Sequence, residues 1–309
     1  MSVFTADQTR RLLPFSRLPG HIARICAAAR DQAIQAPERA TLKLGSDALF
    51  LAMPAADARL AIAKLICVHP ANPALGLATI QGDVTVFDAA SGRRLAILDG
   101  PAVTERRTAA VSLHAADRLR PGPVDSLLVV GAGPQARAHV QAFCETRAVG
   151  RLAIVARRAA SAQAMLDSLE EPLPSEVRVI EAADAAALAA AAEEADVIVT
   201  ATTATAPVLP ERVRDDALLI AVGAFRPHMV EIPPALVRHS QWVVDNLEGA
   251  RHEAGDLLQA GIAWDAVASL RDESLVWQRG RPLLFKSVGY AGWDLAAAHL
   301  AVDELGLLP

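Results

Sequence analysis

One short stretch constrains the fold of this chain more than any other: a glycine turn that joins a predicted buried strand to a predicted helix. Residues 127–130 form a continuous apolar run, the pattern of a strand buried on both faces. Gly131, Gly133 and Ala136 follow in the spacing of a dinucleotide-binding fingerprint, with alanine at the third position. The first glycine would make a tight turn, the second would let the backbone approach a pyrophosphate, and the alanine would allow close packing of helix on strand. The stretch therefore predicts a nucleotide-binding α/β unit.

Strand and helix patterns alternate after this turn, which predicts a doubly wound parallel sheet of the Rossmann type. The helix that begins at the fingerprint is predicted to run to about residue 148, and an alanine-rich helix is expected over residues 182–195. The small polar loop 201–203 follows a predicted strand, at the edge where ligands bind in open α/β sheets. The further predicted strands cover residues 152–156, 177–180, 196–200, 218–222 and 242–244.

The end of the second predicted strand bears on the choice of dinucleotide. Enzymes that bind the ribose 2′-hydroxyl of NAD usually carry an acid there, about 20 residues after the glycines. This chain has Arg157 and Arg158 instead. Two guanidinium groups can hold a phosphate, and there is no acid to repel it. The pair predicts NADPH, with NADH less favoured, and its alternative is two solvated arginines in a loop.

The chain before residue 121 has a different pattern. A capping box at residues 5–8 predicts a short helix, and a second helix is predicted over residues 19–35. A third helix is predicted from about residue 104 to residue 119. Strands are predicted at 40–44, 49–53, 61–67, 78–80, 84–87 and 95–98, with hairpin turns at 45–47 and 81–83. Because 121–123 is a natural linker, we predict an α+β domain over residues 1–120, a nucleotide-binding domain over 121–286, and a C-terminal helix over 287–309 that packs back on the first domain.

Several cations stand out in the first predicted domain. Lys64 interrupts an apolar strand, where a charge is costly unless it is paired or faces a cleft; the alternative is a strand whose other face is solvated. Arg39 precedes a strand and has a solvated strand end as its alternative. Arg106 and Arg107 lie in the first turn or two of a helix, where positive charge opposes the helix dipole. Together Arg39, Lys64 and Arg107 could form a pocket for a carboxylate, which arginine binds bidentately.

Composition excludes several classes of function. The net charge of −5 gives no sign of a nucleic-acid partner, and no apolar run approaches the length of about 20 residues that a membrane span needs. The first residues lack the form of a signal peptide. Cys26, Cys67 and Cys144 are odd in number and lie in apolar stretches, as expected of buried thiols in a reducing cytoplasm. No histidine or cysteine cluster has metal-ligand spacing, and we expect no metal. His69 and His228 lie beside prolines in predicted loops and are interpreted as structural.

In order and spacing, the motifs of this chain resemble those of the ornithine cyclodeaminase/mu-crystallin family over nearly the whole length. The supporting stretches are residues 37–41, 53–55, Lys64 before 69–73, 99–100 with 104–110, the fingerprint with Gln135 and Ala136, 222–224, and 285–289. The resemblance implies a homodimer whose first domain makes the dimer contact, and a nicotinamide cofactor between the domains.

The resemblance also implies roles for individual residues. Arg39, Lys64 and Arg107 would hold the substrate carboxylate, with Lys64 and Arg107 as the catalytic pair, and Met53 and Thr79 would line the same pocket. Asp294 is interpreted as structural, through capping or pairing near the cofactor. The cofactor-binding residues expected from the fingerprint and the resemblance together are Gly131, Gly133, Pro134, Gln135, Ala136, Arg157, Arg158, Ala201, Thr202, Thr203, Val222, Gly223, Ser287 and Gly289.

One departure separates this chain from the cyclodeaminases of the family, which carry an aspartate after the turn that follows the fifth strand. The matching residue here is Phe225, which cannot take a proton from a substrate amine. We therefore predict NADPH-dependent reduction of a cyclic imino acid, 1-pyrroline-2-carboxylate or 1-piperideine-2-carboxylate, to proline or pipecolate. The alternatives are an alanine-dehydrogenase-like amino acid dehydrogenase, an ornithine cyclodeaminase, and a mu-crystallin-like protein that binds NADPH and a ligand.

Overall fold

The computed structural model describes residues 2–45, 47–170, 172–278 and 280–308. The strands are β1 (Ser2–Val3), β2 (Ala40–Leu44), β3 (Ala48–Ala56), β4 (Leu60–Val68), β5 (Ile80–Asp88), β6 (Arg94–Asp99), β7 (Val124–Val130), β8 (Val149–Ala156), β9 (Glu176–Glu181), β10 (Val197–Thr200), β11 (Leu218–Ala221), β12 (Gln241–Val244), β13 (Ala268–Ser269) and β14 (Leu283–Lys286). The α-helices are α1 (Ala6–Arg11), α2 (Leu18–Arg30), α3 (Gly100–Leu119), α4 (Pro134–Thr146), α5 (Ala159–Asp167), α6 (Ala185–Glu194), α7 (Pro234–His239), α8 (Leu247–Glu253), α9 (Gly255–Ala260) and α10 (Ala291–Leu305).

The chain divides into two compact units. The first runs to Ala110 and resumes at Tyr290, and the second is Val111–Gly289. The first division falls inside α3, whereas the sequence places a boundary at residue 120, just after that helix. The second division follows Gly289, whereas the predicted boundary is residue 286. Within the described ranges, no helix has both the length and the apolar character needed to cross a membrane.

The first unit is built on a sheet in the order β1-β6-β5-β4-β3-β2. Its neighbouring strands run antiparallel except β1, which pairs parallel with β6. The hairpin predicted at 45–47 joins β2 to β3, although Ser46 lies outside the described residues. The capping box is confirmed at the start of α1, since the Gln8 amide donates to the Thr5 hydroxyl oxygen and the Thr5 amide donates to the Gln8 side-chain oxygen. The C-terminal helix α10 packs against α2, β3 and β4, so the far end of the chain completes this unit.

The hairpin predicted at residues 81–83 is wrong. A single strand, β5, runs through Gly82 and pairs with β4 along its whole length. Gly82 has φ of +140°, and a Cβ atom added there would lie 2.1 Å from the carbonyl oxygen of Leu65. The glycine is therefore needed for the close approach of two neighbouring strands, and not for a reversal of the chain.

The second unit holds a parallel sheet in the order β13-β12-β14-β11-β10-β7-β8-β9. The strand before the fingerprint, β7, lies between β8 and β10, and the order from β9 to β14 is the doubly wound order of a Rossmann sheet. Strands β10, β11 and β14 are buried along their whole length, as expected of interior strands that are apolar except for Thr200 and Lys286 at the ends of β10 and β14. The predicted fold class is confirmed, but the sequence analysis did not predict β14, which lies inside the sheet between β12 and β11, nor the short strands β1 and β13.

Candidate active site

Lys64 lies on the buried face of the antiparallel sheet. Along β4 the even-numbered residues are buried while the intervening residues are half-buried or exposed, and Lys64 shares its face with Ile62 and Ile66. Its side chain is 1 % exposed. The register pairs it with Met53 on β3, which is also buried. The alternative interpretation, a lysine on a solvated face of the strand, is therefore wrong.

A buried carboxylate joins the two predicted catalytic cations. Lys64 Nζ donates a hydrogen bond of 3.0 Å to Asp294 Oδ1, and Arg107 Nε lies 3.3 Å from the same oxygen. The Asp294 side chain is 0 % exposed, and its Oδ2 has no hydrogen-bond partner among the described residues. We name Lys64, Arg107 and Asp294 the buried charge cluster. Strand β4, helix α3 and helix α10 each contribute one of its members.

The surroundings of Lys64 bring its pKa close to neutral pH. Burial, together with the positive charges of Arg107 and Arg39, lowers the pKa of Lys64 to about 8, against the opposing effect of Asp294. Lys64 can therefore both carry a charge and exchange a proton near neutral pH, which is what a general acid requires.

The remaining residues predicted for this pocket have different positions. Arg39 is half-buried just before β2 and is close enough to influence the charge of Lys64. Thr79 is half-buried just before β5, and its carbonyl oxygen accepts a hydrogen bond from the His69 amide. Because the register pairs Lys64 with Val84, Thr79 lies about 16 Å along the strand from that pair. The structure thus brings Arg39, Lys64 and Arg107 together but does not bring Thr79 to them.

Arg106 points away from the buried charge cluster. Its Nε donates to the carbonyl oxygen of Leu13 at 2.9 Å, and its guanidinium lies 3.5 Å from the ring centroid of Phe15. The two adjacent arginines that the sequence singled out therefore have separate surroundings. Arg106 attaches α3 to the segment after α1, while Arg107 faces Asp294.

An open groove of ≈ 730 Å³ lies at the carboxyl ends of β7, β8 and β10 in the second unit. Gly131 has φ of +130°, and a Cβ atom there would lie 2.7 Å from the carbonyl oxygen of Ala201, so only glycine fits this turn. A Cβ atom at Gly133 would meet nothing within 4 Å, which leaves open space above the turn. Helix α4 begins at Pro134, with no side-chain cap from the described residues, so the turn fits a pyrophosphate.

The groove is lined by seven of the fourteen residues predicted to bind the cofactor, namely Gly131, Gly133, Arg157, Arg158 and Ala201 to Thr203. Arg157 and Arg158 follow β8 and line it, and Ala201 to Thr203 line it from the end of β10. Gln135 and Ala136 form the first turn of α4, and Val222 continues β11, with its amide bonded to the carbonyl oxygen of Thr200. The residues present therefore fit NAD(P)H, and Arg157 and Arg158 are the available partners for a 2′-phosphate.

A buried glutamate that the sequence analysis missed ties two loops of this unit together. Glu231 Oε1 accepts from the amide and hydroxyl of Thr202 at 2.7 and 2.8 Å. Its Oε2 accepts from the amides of Gly223 and Ala224 at 2.8 and 3.1 Å. Burial raises the pKa of Glu231, against the opposing charge of nearby Lys286. The loops after β10 and β11 are therefore held by one carboxylate.

Two further buried acids, Asp256 and Asp245, also accept hydrogen bonds from loop residues of this unit. Asp256 accepts from the amide of Glu231 at 2.6 Å, and Lys286 Nζ lies 2.9 Å from its other oxygen. Asp245, at the end of β12, accepts from the Ser287 hydroxyl at 2.8 Å and from the Gly289 amide at 3.0 Å. Ser287 and Gly289 were predicted to bind cofactor, but these donors already have a partner in Asp245. The sequence does carry one indication of the buried acids Glu231, Asp245 and Asp256. Each lies next to an apolar strand or loop, where burial of a carboxylate without a partner would be costly.

No group of histidine, cysteine, aspartate or glutamate side chains in the described ranges has the arrangement of a metal site. Cys26, Cys67 and Cys144 carry thiols rather than disulfides. Phe225, at the position where an aspartate would favour a cyclodeaminase, is half-buried beside Arg226, whose guanidinium lies 5.7 Å from the ring centroid.

A doubly wound parallel sheet with the fingerprint turn defines a dinucleotide-binding protein of the Rossmann type. The chain belongs to the ornithine cyclodeaminase/mu-crystallin family, whose model matches residues 22–305.

Three comparisons place it more finely within that family. The chain is 41% identical over 304 residues to Delta(1)-pyrroline-2-carboxylate reductase 1 of Burkholderia multivorans, a match that covers 98% of this chain and 96% of that protein. It is 40% identical over 304 residues to the Delta(1)-pyrroline-2-carboxylate/Delta(1)-piperideine-2-carboxylate reductase of Azospirillum brasilense, with the same coverage of 98% and 96%. Among solved structures it resembles the Delta(1)-pyrroline-2-carboxylate reductase of Thermococcus litoralis in complex with NADH and L-proline, with a TM-score of 0.89, 25% identity and coverage of 99% and 98%.

Proposed function

We propose that this protein is an NAD(P)H-dependent ketimine reductase that converts 1-pyrroline-2-carboxylate or 1-piperideine-2-carboxylate to proline or pipecolate. The observation that carries the proposal is the buried charge cluster with Arg39 beside it, a set of cations suited to a small carboxylate. The names of the two relatives at 41% and 40% identity support the same substrate class. So does the L-proline bound in the Thermococcus litoralis relative, because proline is the product of this reaction.

In the proposed reaction the protein orients the imine and supplies a proton. Arg107 and Arg39 bind the carboxylate, and each charge-assisted hydrogen bond contributes about 1.5–3 kcal/mol. This binding orients the imine carbon for hydride attack, and correct orientation of the reacting atoms lowers the activation barrier. Reduced nicotinamide supplies the hydride to that carbon. Lys64 gives its proton to the ring nitrogen, so the product amine is neutral when formed and Lys64 is recharged from solvent.

We propose NADPH as the preferred reductant. Arg157 and Arg158 line the groove directly after β8, where an acid would favour the free 2′-hydroxyl of NADH. Neither position carries a negative charge, and both side chains can contact a 2′-phosphate.

We also propose that the protein acts as a homodimer in the cytoplasm, with the outer face of the antiparallel sheet as the contact. That face is apolar across three strands: the register aligns Leu42 with Phe50 and Cys67, and places Leu65 in the next row. Leu42 is 60% exposed and Leu65 is 43% exposed. An exposed apolar patch of this kind on a sheet is typical of a protein–protein contact, and a second copy of the chain presents the same face for a symmetric interface.

The proposal is tested by following the absorbance of NADPH with purified protein and either cyclic imine. Rapid loss of NADPH with a cyclic imine, slower loss with NADH, and little loss with pyruvate plus ammonia are expected. Turnover of pyruvate plus ammonia alone would replace the proposal with an amino acid dehydrogenase. Release of ammonia from ornithine with NAD would make it a cyclodeaminase, and tight NADPH binding without turnover of any imine would make it a binding protein.

A further inference from the structure

Recognition of a carboxylate substrate explains the cations of the buried charge cluster but not its acid. Asp294 is fully buried, and taking a carboxylate out of water is costly unless strong partners compensate. It also competes with the substrate carboxylate for the same cations. Its presence between Lys64 and Arg107 therefore calls for a separate explanation.

The surroundings of Lys64 supply one. The charged groups that face it are Arg107 on α3, Arg39 in the segment before β2, and Asp294 on α10. Its register partners on the neighbouring strands, Met53 and Val84, are apolar. Burial and both arginines favour the neutral amine, and Asp294 alone favours the ammonium ion. Asp294 is therefore the charged group facing Lys64 that helps it to keep a proton to donate.

The distances around Asp294 also indicate that it positions Lys64 and Arg107. Asp294 Oδ1 lies 3.0 Å from Lys64 Nζ and 3.3 Å from Arg107 Nε, so one oxygen fixes the position of both cations. Helix α10 packs directly on β3 and β4, which holds the carboxylate against the strand that carries Lys64. Asp303, farther along the same helix, instead pairs with Arg59 at 2.7 Å in a partly exposed setting. The two acids of one helix thus have different surroundings.

We infer that Asp294 is a positioning residue, which keeps Lys64 an ammonium ion and fixes it beside Arg107 so that both cations meet the substrate in one arrangement. It acts through these two side chains and not by contact with the reacting atoms. The inference deepens the proposed imino acid reduction and rests on it.

The charge of Lys64 can be measured without turnover, because the lysines of the chain are only Lys43, Lys64 and Lys286. Protein labelled with ¹³C at lysine Cε gives a spectrum simple enough to assign with Lys43→Arg and Lys64→Gln. Asp294→Asn, which keeps the size of the side chain and removes its charge, should move the Lys64 titration to lower pH by about one unit or more. Asp303→Asn is the matched control and should leave that titration unchanged. An unchanged Lys64 titration in Asp294→Asn overturns the inference.

Kinetics supply the second measurement. In Asp294→Asn, kcat/KM for the cyclic imine should fall about 100-fold, the alkaline limb of its pH profile should move to lower pH, and the KM for NADPH should stay within about twofold. Adding Asp294→Asn to Lys64→Gln should cost little more than Lys64→Gln alone, because Asp294 acts largely through Lys64. Full multiplication of the two effects would contradict this.

Asp294→Glu covers the case in which Asp294→Asn does not fold. It keeps the charge and shifts it by one methylene, so Lys64 should titrate as in the wild type while kcat/KM falls about tenfold. A wild-type kcat/KM in Asp294→Glu would show that position is unimportant and would overturn the inference. Failure of the proposed function is distinguishable, because the wild type would then reduce no cyclic imine while Asp294→Asn still moved the Lys64 titration.

Discussion

Arg106 and Arg107 are adjacent in sequence, equally buried and of the same charge, yet their contacts predict opposite consequences of mutation. Arg107→Ala should raise the KM for the cyclic imine about 100-fold, because it removes a charge-assisted contact to the substrate carboxylate. Arg106→Ala should leave KM unchanged and lower the melting temperature, since it removes the hydrogen bond to Leu13 and the contact with the Phe15 ring, together worth about 2–3 kcal/mol. Steady-state kinetics and thermal unfolding of both variants test this pair. Exchange of the two phenotypes would contradict the assignment of Arg107 to the site.

The lowered pKa of Lys64 predicts a pH dependence. Lys64 is an ammonium ion below about pH 8 and a neutral amine above it, so the proton for the ring nitrogen is lost as the pH rises. We expect kcat/KM for the cyclic imine to decline through about pH 8. Lys64→Arg remains charged and should show a lower kcat/KM without that decline, whereas a decline of the same shape in Lys64→Arg would assign it to the substrate imine. A pH profile of both proteins distinguishes the two origins.

At this scale the sequence identifies a residue when it conflicts with its local pattern. Lys64 in an apolar strand is such a conflict, and its burial is confirmed. Arg107 was singled out because the helix was predicted to begin near residue 104, but α3 begins at Gly100 and places Arg107 in its third turn, beyond the reach of the helix dipole. The partner of Lys64 could not be found this way, because Asp294 lies 230 residues farther along the chain. Only the packing of α10 on β4 brings them together, and a lone aspartate in the first turn of a helix also fits a purely local role.

At the scale of whole elements, the loops after β10 and β11 depend on a single buried carboxylate. Glu231→Gln would place an amide group against backbone donors, leaving at least one buried hydrogen bond unmade at a cost of about 1–3 kcal/mol. Because Thr202 lines the groove, we expect the Kd for NADPH to rise about tenfold and the melting temperature to fall. Glu248→Gln, an exposed acid of the same unit, is the control. NADPH fluorescence titration gives the Kd, and a wild-type value in Glu231→Gln would mean that this loop order does not serve the cofactor.

Arg157 and Arg158, directly after β8, predict a preference for NADPH over NADH. Replacing Arg157 and Arg158 together by serine should lower kcat/KM for NADPH about 10- to 100-fold, the equivalent of about 1.5–3 kcal/mol, and leave NADH nearly unaffected. Arg178→Ser, on the exposed side of β9, is the matched control. Parallel losses with both cofactors would show that the arginines serve the fold or the pyrophosphate and not the 2′-phosphate.

The elements themselves were largely predictable, since apolar runs predicted most strands of the parallel sheet, β14 excepted, and the capping box predicted α1. The error at Gly82 has a physical cause. Glycine with a polar neighbour on each side is typical of a turn, but it also occurs where two strands approach closely, and only the register of β4 and β5 separates these cases. Ser287 and Gly289 stay predicted cofactor-binding residues, and the sequence could not show that Asp245 accepts hydrogen bonds from both, because it lies more than 40 residues earlier in the chain.

At the scale of the whole molecule, two units with different architectures carry different parts of the chemistry. In the proposed function, the parallel sheet of the second unit offers amides and arginines to a dinucleotide, and the antiparallel sheet of the first offers a buried charge cluster to a carboxylate. The first unit depends on both ends of the chain, because α10 packs against α2, β3 and β4. Its catalytic contribution therefore also depends on the C-terminal helix, which supplies Asp294.

The same sheet carries the proposed catalytic lysine and the proposed dimer contact, because Lys64 lies on its buried face while Leu65 lies on the outer, apolar face. A charge placed on that outer face should prevent a second copy from packing there. We expect Leu42→Asp combined with Leu65→Lys to convert the dimer into a monomer, as measured by size-exclusion chromatography with light scattering. Val276→Asp, at an apolar residue that is 76% exposed in the second unit, is the control and should remain dimeric. A dimeric double variant would assign the contact to another surface, and a monomeric wild type would contradict the homodimer itself.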